Sequence, residues 1–148
     1  MAGPQFPETL SWPANVARIQ HVAPGRHPVF FGAQRFTLNL TRAAMREAGW
    51  SPSVRLFEAA ACGTAIISDY WPGLDEFFTP DKEILVARSA DEVLRALIET
   101  GIETRLALAA RARQRVMREH TAVRRVDLLE RELQELMPMG GLAHPARS

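Results

Sequence analysis

The sequence predicts an α/β fold built on a parallel sheet. Short β-rich runs alternate with helical segments over residues 16–88, and parallel strands require such helical crossovers. The chain has 148 residues, of which 47% are hydrophobic and 24% charged, as is typical of one globular domain. Ligands of such sheets bind beyond the carboxyl ends of the strands. The loops at 23–28, 41–53 and 69–74 are therefore the first places to look for a site.

The elements that open the chain are short. Three prolines in the first fifteen residues indicate an irregular lead-in. Val16–Val22 is then predicted to be a strand, and a loop containing proline and glycine follows it. One or two helical turns are expected at Val29–Gln34. Arg35–Leu40 alternates apolar and polar residues and predicts the next strand.

The middle of the chain repeats the alternation. A short helix is predicted at Arg42–Ala48. Ser51 is predicted to cap the next helix, with proline at its first position, and Gly63 to close it after Cys62. Thr64–Asp69 is typical of a buried strand. The remaining elements are a turn at Trp71–Gly73, a helix at Leu74–Phe78 and a strand at Glu83–Ala87.

Helices are predicted for the rest of the chain. Ser89 and Glu92 have the spacing of a capping box, and longer helices are expected at about 102–119 and 122–137. The arginines of 102–119 form either a solvated face or a nucleic-acid stripe, and the small net charge favours the solvated face. The 122–137 helix carries an apolar stripe that either packs on the domain or mediates self-association. Its members are Val126, Leu129, Leu133 and Leu136.

Charge and composition exclude several function classes. Lys and Arg number 18 against 17 Asp and Glu, for a net charge of +1, which leaves no bulk electrostatic attraction to nucleic acid or to an anionic membrane. Cys62 is the single cysteine, and the four histidines lack metal-ligand spacing. No metal site is therefore predicted. No apolar run suits a membrane span and no secretory signal is visible, so a cytoplasmic location is expected.

The predicted helix start at Ser51 is the first candidate site. A helix N-terminus carries unpaired N–H groups and partial positive charge. Here the capping-box position is Val54, so the amides of Ser53, Val54 and Arg55 are not all used by local side chains. Arg55 adds positive charge at the same end. A diphosphate would suit this arrangement, whereas the alternative is an ordinary helix start with Arg55 in water.

Glu58 is the second candidate. It lies on an otherwise apolar or small helix face, where a carboxylate is costly unless it is hydrogen-bonded. Seven residues separate it from Ser51, a rise of roughly 10 Å that suits a nucleoside diphosphate. The carboxylate would accept the ribose hydroxyls. Alternatively, Glu58 forms a structural ion pair with Arg55, Arg42 or Arg35, and both interpretations stay open.

A family resemblance covers about residues 3–120 and is most specific at 35–88. The segments SVRLFEAAACGTAIISD, FGAQRFTLNLTRAAM, WPGLDEFF and KEILVA resemble the C-terminal donor-binding domain of GT-B glycosyltransferases. The CgeB-like (spore maturation protein) group of the glycosyl transferases group 1 superfamily is the most similar. The resemblance implies a Rossmann-like domain that binds a nucleotide-diphosphate sugar and transfers the sugar without a bound metal or other cofactor.

The resemblance also implies roles for individual residues. Glu58 matches the family glutamate that binds the donor ribose, and Ser53 and Val54 fall at the helix start that meets the diphosphate. It implies a partial donor-binding domain over 1–120, followed by a helix at 121–137 and a loose tail at 138–148.

Further matched positions lie on either side of that helix. Val22, Ala23 and Pro24 match the loop that lines the base pocket, and Glu76 matches an acidic position without an assigned role. Trp50 stands where the wider superfamily has the upstream member of a glutamate pair, so that sugar contact is absent here. No general base is assigned, because the family usually places acceptor-side groups in another domain.

The preferred hypothesis is a glycosyltransferase donor domain for an unknown acceptor, with weak or absent turnover as this chain alone. The family pattern implies that the donor domain begins earlier than this chain, which leaves a strand without its neighbour. The alternative is therefore a non-catalytic binding module that forms a homodimer through an exposed sheet edge or the last helix. A receiver-like regulatory domain is a third hypothesis, but the acidic cluster expected after its first strand is missing.

Overall fold

The computed structural model describes residues 9–50 and 52–137. Three parallel strands form its sheet, in the order β1 (Thr37–Asn39), β2 (Ile66–Ser68) and β3 (Leu85–Val86). β1 pairs with β2, and β2 with β3. β2 is buried along its whole length, which its continuous apolar pattern predicts. The strands predicted within 35–40, 64–69 and 83–87 are confirmed.

The segment predicted as a strand at Val16–Val22 is not one of the three strands of the described sheet, although Ile19 within it is in a β-bridge. These residues belong to no strand of the sheet, and those at 17–21 are exposed. In the described sheet β1 is an edge strand that pairs with β2 alone. A β-rich run becomes a strand of a sheet only when a partner strand offers backbone groups to pair with, and none of the three described strands pairs with this segment.

The helices agree with the predicted alternation. A 3-10 turn at Pro24–Arg26 leads directly into the first of seven helices in the described chain. The predicted helix at 102–119 is confirmed with its bounds, and most others are confirmed within a few residues. They are α1 (His27–Gly32), α2 (Ala43–Ala48), α3 (Val54–Ala61), α4 (Leu74–Phe77), α5 (Ala90–Glu99), α6 (Ile102–Glu119) and α7 (Ala122–Leu136).

The predicted start of α3 requires a correction. The helix begins at Val54, and its cap is Ser53, whose hydroxyl accepts a hydrogen bond from the Arg55 amide at 3.3 Å. Ser51 itself lies outside the described residues, and Pro52 precedes the cap instead of opening the helix. Two serines flank Pro52, and either can supply a capping oxygen, so the sequence pattern alone did not separate them.

The core lies between the sheet and helices α3, α4 and α6. Leu56 and Ala60 of α3 are fully buried against the same cluster as Ile66 of β2. Small residues on α3 and α6, including Ala112, let the two helices pack closely. This packing fixes the position of α3, and therefore of every candidate residue on it.

The arginines of α6 agree with the predicted solvated face, since Arg111, Arg113 and Arg118 are exposed. Four of the arginines donate hydrogen bonds to backbone carbonyls of other segments, so they fasten the helix to the rest of the fold. The pairs are Arg105 with Arg35, Arg111 with Lys82, Arg113 with Ala61 and Arg115 with Glu76. Arg118 instead pairs with the neighbouring Glu119.

The last helix is different. α7 has no buried residue, and its predicted apolar stripe is between 47% and 77% exposed. The interpretation that this stripe packs on the domain is therefore wrong. The tail predicted at 138–148 lies outside the described residues. In the part of the chain that is described, no helix is long and apolar enough to span a membrane.

Candidate functional site

Polar side chains of the first two strands meet at the carboxyl edge of the sheet. The buried Asn39 donates to the Ser68 hydroxyl at 3.1 Å. One residue past β2, the Asp69 carboxylate accepts hydrogen bonds from the Thr41 amide at 3.1 Å and the Thr41 hydroxyl at 2.9 Å. These bonds join the loops after β1 and β2, and they hold the polar side chains in place at this edge of the sheet.

The N-terminus of α3 lies at this same edge. Arg55 directs an N–H group towards the Asn39 side-chain oxygen, 3.5 Å away at the outer limit of hydrogen-bond length. Arg55 is nevertheless exposed, so the alternative of an arginine in water stays open. Ser53 uses one amide of the helix start, and Val54 is 68% exposed. The helix start thus presents open amides and the cationic Arg55 side chain next to the polar side chains at the sheet edge.

Glu58 lies one turn further along α3, with its side chain 36% exposed. Its Oε1 is 3.1 Å from Nδ1 of His27, the first residue of α1. Two of the arginines considered as ion-pair partners bond elsewhere in the described residues, Arg35 to the Thr100 carbonyl and Arg55 to Asn39. Glu58 thus has a side-chain partner, as the alternative of a structural pair expects, but the recorded partner is a histidine. The half-exposed carboxylate remains open to solvent on one side.

The same histidine reaches the predicted base loop. Its Nε2 lies 3.0 Å from the carbonyl oxygen of Val22. Ala23 follows as the cap of the 3-10 turn that begins at Pro24, and its carbonyl accepts from the Arg26 amide. The loop at 22–24 and the carboxylate of Glu58 are thus brought together through one imidazole ring, although 36 residues separate Val22 from Glu58 in the chain.

Trp50 and Glu76 form a separate pair. The indole Nε1 of Trp50 donates to the Glu76 carboxylate at 2.9 Å. The Trp50 backbone is in the left-handed region with φ of 44°, which is strained for a bulky residue. Its ring lies against Gly73, where an added Cβ would come within 2.7 Å. No described contact joins Glu76 to Glu58 or to the start of α3.

The tryptophans divide by burial. Trp71 is 1% exposed and packs in the core. Trp50 is 60% exposed, with one part of its ring against Gly73.

The remaining titratable groups nearby offer no nucleophile or metal centre. Burial, followed by the charge of Glu58, raises the pKa of the Cys62 thiol, which keeps it protonated and unreactive. The described residues hold no group of three or more His, Cys, Asp or Glu side chains placed to bind a metal. A shallow groove of about 510 Å³ near Asp81, Glu92 and Arg95 shares no residue with the candidate site.

A sequence profile of the family described as Glycosyl transferase-like matches residues 1–131. The chain belongs to this glycosyl transferase-like family. The match covers both the polar edge of the sheet and the whole of α3. No curated protein matches the chain significantly. The coarser part of the expected resemblance, a glycosyltransferase superfamily, is thereby confirmed.

One solved structure is similar to this glycosyl transferase-like chain. It is sucrose-phosphate synthase from Thermosynechococcus elongatus, with a TM-score of 0.63 and 19% identity. The match covers 81% of this chain and 30% of the synthase, so the chain spans less than a third of that protein. At this identity the likeness concerns the fold, and it confirms the predicted Rossmann-like α/β class of the GT-B type.

Several residues of the candidate site were not predicted from the sequence. Asn39 and Ser68 are polar residues inside otherwise apolar strands, and that departure from the pattern could have marked them. Thr41 and Asp69 fall in the loops that the strand order indicates. His27 left no such signal, because its contact with Glu58 bridges 31 positions.

Proposed function

We propose that this chain is the donor-binding domain of a glycosyltransferase and that it binds a nucleoside-diphosphate sugar along α3. In this proposal Glu58 accepts the ribose hydroxyls, and the helix start at Ser53–Arg55 binds the diphosphate. The observation that carries the proposal is the half-exposed carboxylate of Glu58, one turn beyond a helix start with open amides. Five residues separate Ser53 from Glu58, a rise of about 7.5 Å, which is compatible with a diphosphate followed by a ribose.

The charges of the site support an anionic ligand. Arg55 and the helix N-terminus are positive, while Asp69 is already bound to Thr41 and so is not directed at the ligand. The loop at Val22, Ala23 and Pro24 would contact the base. The role of Glu76 would be indirect, because its carboxylate binds Trp50.

The membership in the CgeB-like group and a transfer without metal or cofactor belong to the same proposal. They are supported by the sequence segments at 35–88 that resemble that group. The nucleotide, the sugar and the acceptor are not assigned by these residues.

Binding is the direct test. Isothermal titration calorimetry with UDP, GDP and ADP should give saturable binding of at least one nucleotide without added divalent metal. Glu58→Gln should weaken that nucleotide roughly 10- to 100-fold, the size expected for a lost hydrogen bond to a charged group. The matched control is Glu130→Gln on the exposed face of α7, which should bind like the original chain. Equal binding by both variants, or no binding of any nucleotide, contradicts the proposal.

A second candidate function is a dimerisation module. It is favoured by the exposed apolar stripe of α7, formed by Val126, Leu129, Leu133 and Leu136. Sedimentation equilibrium would then show a dimer that Leu129→Glu disrupts, whereas Glu132→Lys on the same helix serves as the control. A monomer at all concentrations excludes this candidate and leaves the donor domain untouched.

A further inference from the structure

Trp50 is an exposed aromatic residue that is held in place at two points. It is 60% exposed, the highest exposure of any aromatic residue in the described chain. Its indole Nε1 donates to the Glu76 carboxylate at 2.9 Å, and its backbone amide donates to the Pro72 carbonyl at 2.8 Å. Single exposed apolar side chains are common on protein surfaces, but this ring is fixed through both its backbone and its edge, and it therefore keeps one orientation.

One face of the indole is covered and the other is open. A Cβ added at Gly73 would lie 2.7 Å from both Cδ1 and Nε1 of Trp50 and 2.9 Å from Cγ. Three nearly equal distances to neighbouring ring atoms place this point above the plane of the five-membered ring and not at its edge. The Gly73 backbone therefore supports one face of the ring. Because the residue is still 60% exposed, the opposite face is directed to solvent.

The backbone around the ring is unfavourable for an ordinary loop. The φ of Trp50 is 44°, in the left-handed region that bulky residues avoid, and the φ of Gly73 beneath it is 93°. Burial of the ring does not compensate for this conformation, because the ring is exposed. Backbone strain of this kind concentrates at ligand sites. The local structure thus presents the indole to solvent at the carboxyl edge of the sheet, between the loops that follow β1 and β2.

The position of the ring matches one part of the proposed ligand. Trp50 lies three residues before the cap Ser53, a chain length of at most about 11 Å. In the proposed binding mode, the ribose lies at Glu58 and the diphosphate at the helix start. The sugar of a nucleoside-diphosphate sugar follows the diphosphate on the side away from the ribose. Trp50 is on that side, since it precedes the helix start whereas Glu58 follows it.

We propose that Trp50 contacts the donor sugar, and that the open face of its indole stacks on the C–H face of a hexopyranose. The face of an aromatic ring carries negative partial charge, whereas the C–H groups on one side of a pyranose are apolar and weakly positive. Glu76 is then a positioning residue that holds the ring through Nε1. The inference rests on the proposed function, and it names hexopyranoses with a continuous C–H face, such as glucose and galactose, as the sugar class.

The test compares a nucleoside diphosphate with its sugar conjugates. Affinities of UDP, UDP-glucose and UDP-galactose are measured by isothermal titration calorimetry, and ADP with ADP-glucose or GDP with GDP-mannose replace them if that nucleotide binds more tightly. The quantity compared is the ratio of the conjugate's affinity to the nucleotide's affinity. Trp50→Leu should lower this ratio roughly 3- to 10-fold, the size of one aromatic stacking contact. Its affinity for the nucleotide alone should stay within about twofold of the original.

Variants of Glu76 test the same contact without changing the ring. Glu76→Ala removes the acceptor of the indole N–H, so the ring is no longer fixed and the ratio should fall. Glu76→Gln keeps an acceptor oxygen and should restore the ratio. The matched control is Phe36→Leu, which removes a half-buried aromatic ring at the opposite, amino end of β1 and should keep the original ratio.

The outcomes separate the inference from the proposed function. An unchanged ratio in Trp50→Leu overturns the inference while nucleotide binding stands, and so does an original chain in which no conjugate binds more tightly than its nucleotide. An equal loss of nucleotide and conjugate affinity in Trp50→Leu also overturns it, because the ring would then act on the nucleotide. If Trp50→Leu does not fold, equal ratios in Glu76→Ala and Glu76→Gln overturn it instead. If no nucleotide binds at all, the proposed function fails and the inference falls with it.

Discussion

Helices α6 and α7 follow each other in the chain and are both amphipathic and rich in arginine, but they relate to the core in opposite ways. α6 buries Leu108, Ala112 and Val116 and donates four arginine hydrogen bonds to backbone carbonyls elsewhere. α7 buries no residue and leaves its apolar stripe exposed. An amphipathic pattern therefore predicts a helix and its apolar face, whereas the rest of the fold decides what packs against that face.

The largest difference between the two helices should appear when a leucine is truncated. Leu108 on α6 is 1% exposed, whereas Leu129 on α7 is 58% exposed. Leu108→Ala should lower the free energy of unfolding by about 2–5 kcal/mol, because it leaves a cavity. Leu129→Ala should change it by less than about 0.5 kcal/mol. Urea unfolding followed by circular dichroism measures both, and similar losses in the two variants would show that α7 is packed as firmly as α6.

A smaller difference is expected for the arginines. Arg113 on α6 donates to the Ala61 carbonyl at the end of α3, at 3.1 Å, whereas Arg124 on α7 makes an exposed pair with Asp127 at 3.7 Å. Arg113→Met keeps the aliphatic stem but removes the hydrogen bond, so it should cost about 1 kcal/mol of unfolding free energy. Arg124→Met should cost close to nothing. Equal costs in the same unfolding assay would mean that the α6 arginines do not fasten the helix.

The smallest effect on the free energy of unfolding is expected from His120, which lies between α6 and α7. His120 closes α6, and its ring contacts Phe57, Phe77 and Phe78. Burial, followed by the charge of Arg125, lowers its pKa below the ordinary histidine value of 6.5. The unfolded chain therefore binds the proton more readily than the folded chain, so the free energy of unfolding should fall as the pH drops below about 6.5.

His120→Asn identifies that contribution. The variant should show a flatter dependence of unfolding free energy on pH between about 5 and 7, while His21→Gln, in an exposed segment, should keep the original slope. An unchanged slope in His120→Asn would place the titration elsewhere in the molecule.

The sequence predicted those parts of the fold that depend on neighbours along the chain. The bounds of α6 depend on nearby residues, namely the glycine before the helix and the periodicity within it. The predicted bounds of this helix are therefore correct. The end of α3 at Gly63 was predicted for the same reason. The segment at 16–22 is not a strand of the described sheet, because a strand depends on a partner, and the partner is not encoded in the run itself.

The candidate site likewise combines features of chain neighbours, which the sequence indicates, with contacts between distant segments, which it does not. The helix start and Glu58 are neighbours on α3, so the sequence predicted that both lie on one helix, although the choice of Ser51 as the cap made their predicted spacing two residues too long. The pairing of Glu58 with His27 and the role of the α6 arginines could not, because each contact joins distant segments that come together only when the core forms. Single sequences hold no direct signal for such pairs.

The central claim is that Glu58 recognises the ribose of a nucleoside diphosphate bound along α3. A thermodynamic cycle between the protein and the ligand tests it most directly, at one pH, with a nucleotide and its 2′,3′-dideoxy analogue measured against the original chain and Glu58→Ala. The original chain should prefer the ribonucleotide roughly tenfold or more, and Glu58→Ala should bind both ligands equally. An identical preference in the two proteins would show that the ribose is held elsewhere and would contradict the claim.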